Sequence, residues 1–136
     1  MKYLFIYLSL ILIACSSDNN SIVSKPIDLQ NQDSVKTYIN GEWFILKNNI
    51  EIGYRRISSN PSDLHLTWYS LSQKELEDFK ATGIEYIKSC PTYTSLIFGK
   101  DSTYIKFTGL GGSDTLSIKY LSKEKLILGK TEYVKK

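Results

Sequence analysis

Beyond residue 40, apolar and polar residues alternate with a period of two, the pattern of strands that bury one face. Trp43 and Ile45 alternate with Glu42 and Phe44; Ile50, Ile52 and Tyr54 alternate with Glu51, Gly53 and Arg55; Leu64, Leu66 and Trp68 alternate with His65, Thr67 and Tyr69. The rhythm returns in Thr94, Leu96 and Phe98, in Thr103, Ile105 and Phe107, in Leu116, Ile118 and Tyr120, in Leu126 and Leu128, and at Tyr133. Short breakers separate the later runs: Gly99-Lys100-Asp101, Gly109 to Asp114, Ser122 to Lys125, and Gly129-Lys130. Gaps this short join antiparallel neighbours, since a parallel crossover needs about a dozen residues or more. Gly129-Lys130 suits a two-residue hairpin turn. The pattern predicts a mainly β fold, an antiparallel up-and-down barrel or sandwich of about eight strands.

One stretch departs from period two. Ser72-Gln73-Lys74-Glu75 has the spacing of a capping box, and Leu71 and Leu76 stand at staple positions around it. A short helix is predicted over about 73–82, with Leu76 and Phe79 as its apolar stripe and Gly83 as its left-handed C-terminal residue. A stripe this narrow predicts that the helix covers one end of the sheet. Glu75, Glu77 and Asp78 at its start complement the helix dipole, which accounts for them without acid–base chemistry.

Ahead of the strands the pattern changes twice. Lys2 precedes an apolar run from Tyr3 to Ile13 that ends in Leu12-Ile13-Ala14-Cys15, followed by Ser16, Ser17 and Asp18. A bilayer core takes roughly 20 apolar residues to cross, so this shorter run is predicted to be a signal peptide, residues 1–14. From Ser16 to about Val35 the chain is polar with isolated aliphatics and no period, which predicts a flexible tether over residues 15–35. Residues 36–136 then form a single β-rich domain, long enough to bury a modest core.

Leu12-Ile13-Ala14-Cys15 resembles the lipobox of bacterial lipoproteins. That resemblance implies diacylglycerol on the Cys15 thiol, cleavage before Cys15, and acylation of the new amino terminus. Several acyl chains hold a protein durably where one does not, so the expected state is anchored to a membrane without spanning it. The polar leader Ser16-Ser17-Asp18-Asn19-Asn20 is similar to those of some Gram-negative outer-membrane and surface lipoproteins, and serine after Cys15 resembles their sorting signal. The expected location is the cell envelope of a Gram-negative bacterium, at the outer membrane on its periplasmic or surface side.

Composition narrows the function. Seventeen basic residues against 14 acidic ones give a formal charge of +3, and removal of the leader takes Lys2 away. No basic stripe is present, which argues against a nucleic-acid partner. Cys90 has no disulfide partner once Cys15 carries lipid, so it is expected to be a small buried hydrophobe and the core must hold the fold unaided.

Residues that could carry chemistry are few. His65 is the only histidine and lies opposite in phase to Leu64, Leu66 and Trp68, toward solvent, with Asp63 nearby but no nucleophile signature. One thiol and one distant imidazole do not make a metal cluster, and no cofactor is implied. Gly109-Leu110-Gly111-Gly112 leads into a strand, whereas a phosphate loop leads into a helix, so a hairpin is predicted. No enzyme is expected.

Arg56 shares the strand phase of Ile50, Ile52 and Tyr54. Either its guanidinium points inward and needs a carboxylate or an anionic ligand, or a β-bulge at Arg55-Arg56 turns both into water. The chain also has two tryptophans and ten tyrosines, of which Tyr3 and Tyr7 fall in the leader, and Tyr69, Tyr93 and Tyr104 are out of phase with the core. Exposed tyrosines suit binding surfaces.

Ile39-Asn40-Gly41-Glu42-Trp43, the Cys90 segment leading into Thr94 to Phe98, and the terminal meander are similar to small bacterial lipoproteins with lipocalin-like domains. The resemblance spans most of Tyr38 to Val134. It implies a non-catalytic binding protein that takes a small apolar or anionic ligand inside the barrel, with Trp43, Tyr54, Arg56 and Trp68 as candidate lining residues. The alternative is a protein-binding inhibitor or immunity lipoprotein of the cell envelope. A cavity lined by those four side chains would favour the ligand; a solid core with a tyrosine patch outside would favour a protein partner.

Overall fold

The computed structural model describes residues 24–85 and 92–136. The expected signal peptide, Cys15 and Cys90 lie outside them. The strands are β1 (Gly41–Lys47), β2 (Ile50–Ser59), β3 (His65–Ser72), β4 (Tyr93–Phe98), β5 (Thr103–Gly109), β6 (Gly112–Leu121), β7 (Lys125–Leu128) and β8 (Thr131–Lys135). Each pairs antiparallel with the next, and β1 pairs with β8, so the sheet closes into an eight-stranded up-and-down barrel. Of the two architectures compatible with the strand rhythm, the barrel is the one formed. Closure removes the sheet edges that would otherwise expose unpaired backbone groups.

Among the described residues, two helices accompany the barrel. α1 (Gln32–Ile39) precedes β1, and α2 (Gln73–Thr82) lies between β3 and β4. α2 has the predicted bounds and the predicted caps. The Ser72 side chain accepts from the Glu75 amide, the Glu75 carboxylate accepts from the Ser72 amide, and Gly83 is left-handed with its N–H donating to Phe79 O.

Its position differs from the expectation. α2 packs on the outer wall of the barrel, where Leu76 and Phe79 meet Phe44, Tyr54, Tyr69, Leu71 and Val134 in a second apolar cluster. The reason is that β1–β3 carry apolar side chains on both faces, and the outward set must be covered.

α1 was not foreseen, and it corrects the tether. Asn31 caps it, its side chain accepting from the Ser34 amide, and Val35 and Ile39 at i, i+4 are fully buried in the barrel core. Residues 24–31 also lie on the barrel. The Ile27 amide donates to Leu121 O at 2.9 Å, the Thr103 hydroxyl to Leu29 O at 2.6 Å, the Tyr120 hydroxyl to Ser24 O at 2.9 Å, and the Ser24 hydroxyl to Ser122 Oγ at 2.8 Å. The folded domain therefore begins by Ser24 rather than at Lys36. Two apolar residues on a polar helix and two more in the arm are too few to show as a period, yet they are what the open base of the barrel needs.

This segment defines the lower end of the barrel, together with the β2–β3, β4–β5 and β6–β7 connections. The β1–β2, β5–β6 and β7–β8 hairpins and the start of α2 mark the upper end. Between the ends, the interior is filled by Trp43, Ile57, Leu96, Ile105, Leu121, Leu126 and Leu128, all of them nearly inaccessible.

A chain beginning at Ser24 retains the arm and its bonds to the barrel. Starting at Gln32 removes Ile27, Leu29 and their backbone bonds, and should cost about 2–4 kcal/mol in urea unfolding, on the scale of burying such side chains.

Candidate functional site

Strand phase decides which side chains can meet a ligand, and β2 carries the decisive irregularity. Ile45 faces Gly53 while Leu46 faces Glu51, so β2 has one extra residue at Ile52. The bulge resets the alternation: Arg55 and Ile57 point inward, Tyr54 and Arg56 outward. Gly53 is on the inner side, where an added Cβ would sit 2.9 Å from Ile45 Cδ1, so the Ile45 side chain lies across it.

The bulge expected at Arg55-Arg56 thus falls earlier, and the two arginines part. Arg56 pairs with Glu85 at 2.8 Å and lies 5.0 Å over the Tyr69 ring on the outer wall. Its alignment with Tyr54 in strand phase holds, but both face α2.

The four predicted lining residues therefore do not share a cavity. Trp43 is inside and fully buried at the base; Trp68 is inside and half-buried near the top; Tyr54 and Arg56 are outside. Tyr54 packs on Phe44 with centroids 5.3 Å apart, and its hydroxyl donates to Glu42 Oε1 at 2.8 Å. Burial, reinforced by that bond and the Glu42 charge, pushes the phenol well above its ordinary range.

Trp43 is a structural anchor. Its indole N–H donates to Ile39 O at 2.8 Å, and Lys135 Nζ lies 4.9 Å over its ring while donating to Tyr38 O at 3.2 Å. Gly41, at φ +135°, leaves the room through which the Lys135 stem reaches the ring. Burial holds the Lys135 ammonium below its ordinary pKa.

What remains inside and reachable is the upper mouth. Trp68 and Phe107 meet edge to face with centroids 5.0 Å apart, both half-buried. Beside Phe107 a shallow depression of about 280 Å³ is lined by Gly109, Gly111, Gly112, Ser113 and Asp114. Ile45 and Leu116, also inward-facing, are likewise half-buried, and Arg55 is the inward residue of β2 between Gly53 and Ile57. Opposite Phe107 on β4, Thr94 is buried, and its hydroxyl has no hydrogen-bond partner among the described residues.

The rim around the mouth carries exposed apolar residues: Ile50 at 61%, Tyr93 at 73%, and Leu110, at the tip of the β5–β6 hairpin, at 99%. Sequence reasoning missed Arg55 as an inward group because a bulge has no periodic signature; only the register shows it.

His65 faces solvent, as its phase predicts, with its side chain 67% exposed and Nδ1 3.1 Å from Asp63. Tyr69 lies under α2 rather than on the surface, and the Tyr104 hydroxyl is bonded to Ser102, so the out-of-phase tyrosines do not act alike. No helix among the described residues is long and apolar enough to cross a membrane.

Because the Tyr54 phenol is raised in the fold, its contribution to stability is complete below about pH 10, the unfolded value, and declines as pH rises further. The lowered Lys135 acts with the opposite sign, gaining stability as it deprotonates. The melting temperature of Tyr54→Phe should therefore fall less steeply above pH 10 than that of the wild type; parallel curves would remove the assignment. No protein-family model, no curated protein and no solved structure matches this chain, so the reading of the mouth rests on its own geometry.

Proposed function

We propose that this protein is a non-catalytic binding module, tethered by lipid on Cys15 at the bacterial outer membrane, that takes a small apolar or anionic ligand at the upper mouth of its barrel. The observation that carries the reading is the pair Trp68 and Phe107, two inward-facing aromatic rings in edge-to-face contact that stay only partly buried, while Trp43, Ile57, Leu96 and Ile105 are fully inaccessible. Aromatic surface held open within a closed scaffold is a common feature of ligand sites. The packed interior below it supports a shallow site rather than a deep calyx.

The lipid anchor would also orient the domain. Ser24 is bonded at the lower end, and the stretch 16–23 spans at most about 30 Å when extended. The base of the barrel then stays near the headgroups and the mouth opens away from them.

A second reading, an inhibitor or immunity protein, is favoured by Leu110, Ile50 and Tyr93 on the upper rim, which would suit a protein partner.

Labelling cells with a palmitate analogue should mark the wild type and miss Cys15→Ala; equal labelling would sink the anchor. For the ligand, 1-anilinonaphthalene-8-sulfonate, an apolar anion, should quench tryptophan fluorescence saturably through Trp68, since Trp43 is sealed in the base. Trp68→Phe should abolish the quench. No saturable quench in the wild type would shift the assignment to a protein partner.

A further inference from the structure

We propose that the mouth selects a compact planar carboxylate, an aromatic acid rather than a long-chain fatty acid, and that Arg55 is the residue that recognises its anionic group. The inference rests on the ligand reading above and deepens it. Arg55 faces inward beside Trp43 on one neighbouring strand and Ser70 on the other. Trp68 is paired with Ile57, one inward position further along β2, which places it diagonally from Arg55, a spacing within reach of long side chains.

Arg55 is half-buried as a residue, and the acceptors its guanidinium meets among the described residues are two backbone carbonyls. Nη1 donates to Tyr54 O at 2.7 Å and to Leu71 O at 3.3 Å. These bonds orient the group without neutralising it. They leave Nε and Nη2, one edge of the planar fork, without an acceptor among the described residues, and that edge is the one that matches a carboxylate bidentately.

The carboxylates nearest in sequence and register are turned elsewhere: Glu42 accepts from Tyr54 and Glu85 pairs with Arg56, both on the outer wall. Glu51 is held by Lys80 and Lys136. Asp114 is exposed on the opposite side of the mouth, accepting from the Thr115 amide. A cation inside a barrel, oriented but not paired with a carboxylate among the described residues, calls for an anion from outside.

Size follows from what lies beneath. Ile57, Leu96 and Ile105 fill the interior below the Trp68–Phe107 pair and are fully inaccessible, so no channel admits an acyl chain. The depression of about 280 Å³ beside Phe107 is lined by the β5–β6 hairpin and not by Trp68 or Arg55, so the limit on ligand length comes from the packed interior. A flat ring against Trp68 and Phe107 with its carboxylate toward Arg55 uses both features at once.

Calorimetric titration of the whole mature domain tests this with 2-naphthoate, its neutral amide 2-naphthamide, and palmitate. Naphthoate should bind at one site; naphthamide should bind at least about tenfold more weakly, as should naphthoate to Arg55→Gln, because a buried charged hydrogen bond is lost in each case. Arg56→Gln, which alters only the outer wall, should change affinity by less than about twofold. Arg55→Lys keeps the charge but loses the fork; it should recover part of the affinity, and its melting curve checks that the barrel is intact.

Equal binding of naphthoate and naphthamide, or undiminished binding to a folded Arg55→Gln, overturns the assignment of Arg55. Tight palmitate binding without naphthoate binding overturns the compact-acid inference while leaving the mouth as a ligand site. Failure of all three, together with no dye quench through Trp68, overturns both.

Discussion

The barrel depends on a single anchoring arrangement around Trp43. A closed sheet of eight short strands has an open base, and that base must be both filled and tied. Trp43 does both: it is completely inaccessible, it donates to the last turn of α1 at Ile39 O, and its ring lies under the Lys135 ammonium from β8. The β1–β8 seam pairs Trp43 with Lys135 and Phe44 with Val134. The same few residues therefore close the sheet and hold the plug. Lys135 adds a donor to Tyr38 O near the negative end of the α1 dipole, where a cation is favoured.

Filling the base has a consequence at the other end. The N-terminal arm, α1 and the aliphatic residues of β4–β7 occupy the lower and middle interior, so the fold resembles a stoppered vessel more than an open cup. The inward side chains Ile45, Arg55, Trp68, Phe107 and Leu116 are left half-covered, as is Phe98 beside the β4–β5 connection. Any recognition inside the barrel is confined to a shallow surface, which favours small flat ligands over long flexible ones. The scaffold is stiff where it is packed, and a site held on paired strands is placed more accurately than one held on loops.

The outer wall solves a separate problem. β1–β3 are apolar on both faces, so Phe44, Tyr54 and Leu71 would face water were they not roofed by Leu76 and Phe79 of α2. Polar contacts frame this roof: Glu51 bridges Lys80 of α2 and Lys136 of the C-terminus, and Arg56 joins Glu85 just past the helix. Glu51 is the more enclosed of these carboxylates, with its side chain 11% exposed, and it ties the helix and the chain end to the same strand. The exposed Arg56–Glu85 pair contributes little by itself, since solvent screens it. It gives the outward guanidinium of Arg56 a partner beside the helix.

Strand number, antiparallel order, and the bounds and caps of α2 were legible in the sequence, because each is a local property: alternation, short gaps, Ser72 with Glu75, and Gly83. The burial of Trp43 and the exposure of His65 also follow from alternation alone. Where a local signal was faint, in the two aliphatics of α1 and the pair Ile27 and Leu29, the elements were invisible until the barrel supplied the surface they cover. Which arginine faces the interior was decided only by tertiary structure. The extra residue at Ile52 shifts the register between β1 and β2, and a shift of one residue sends every following side chain to the opposite face.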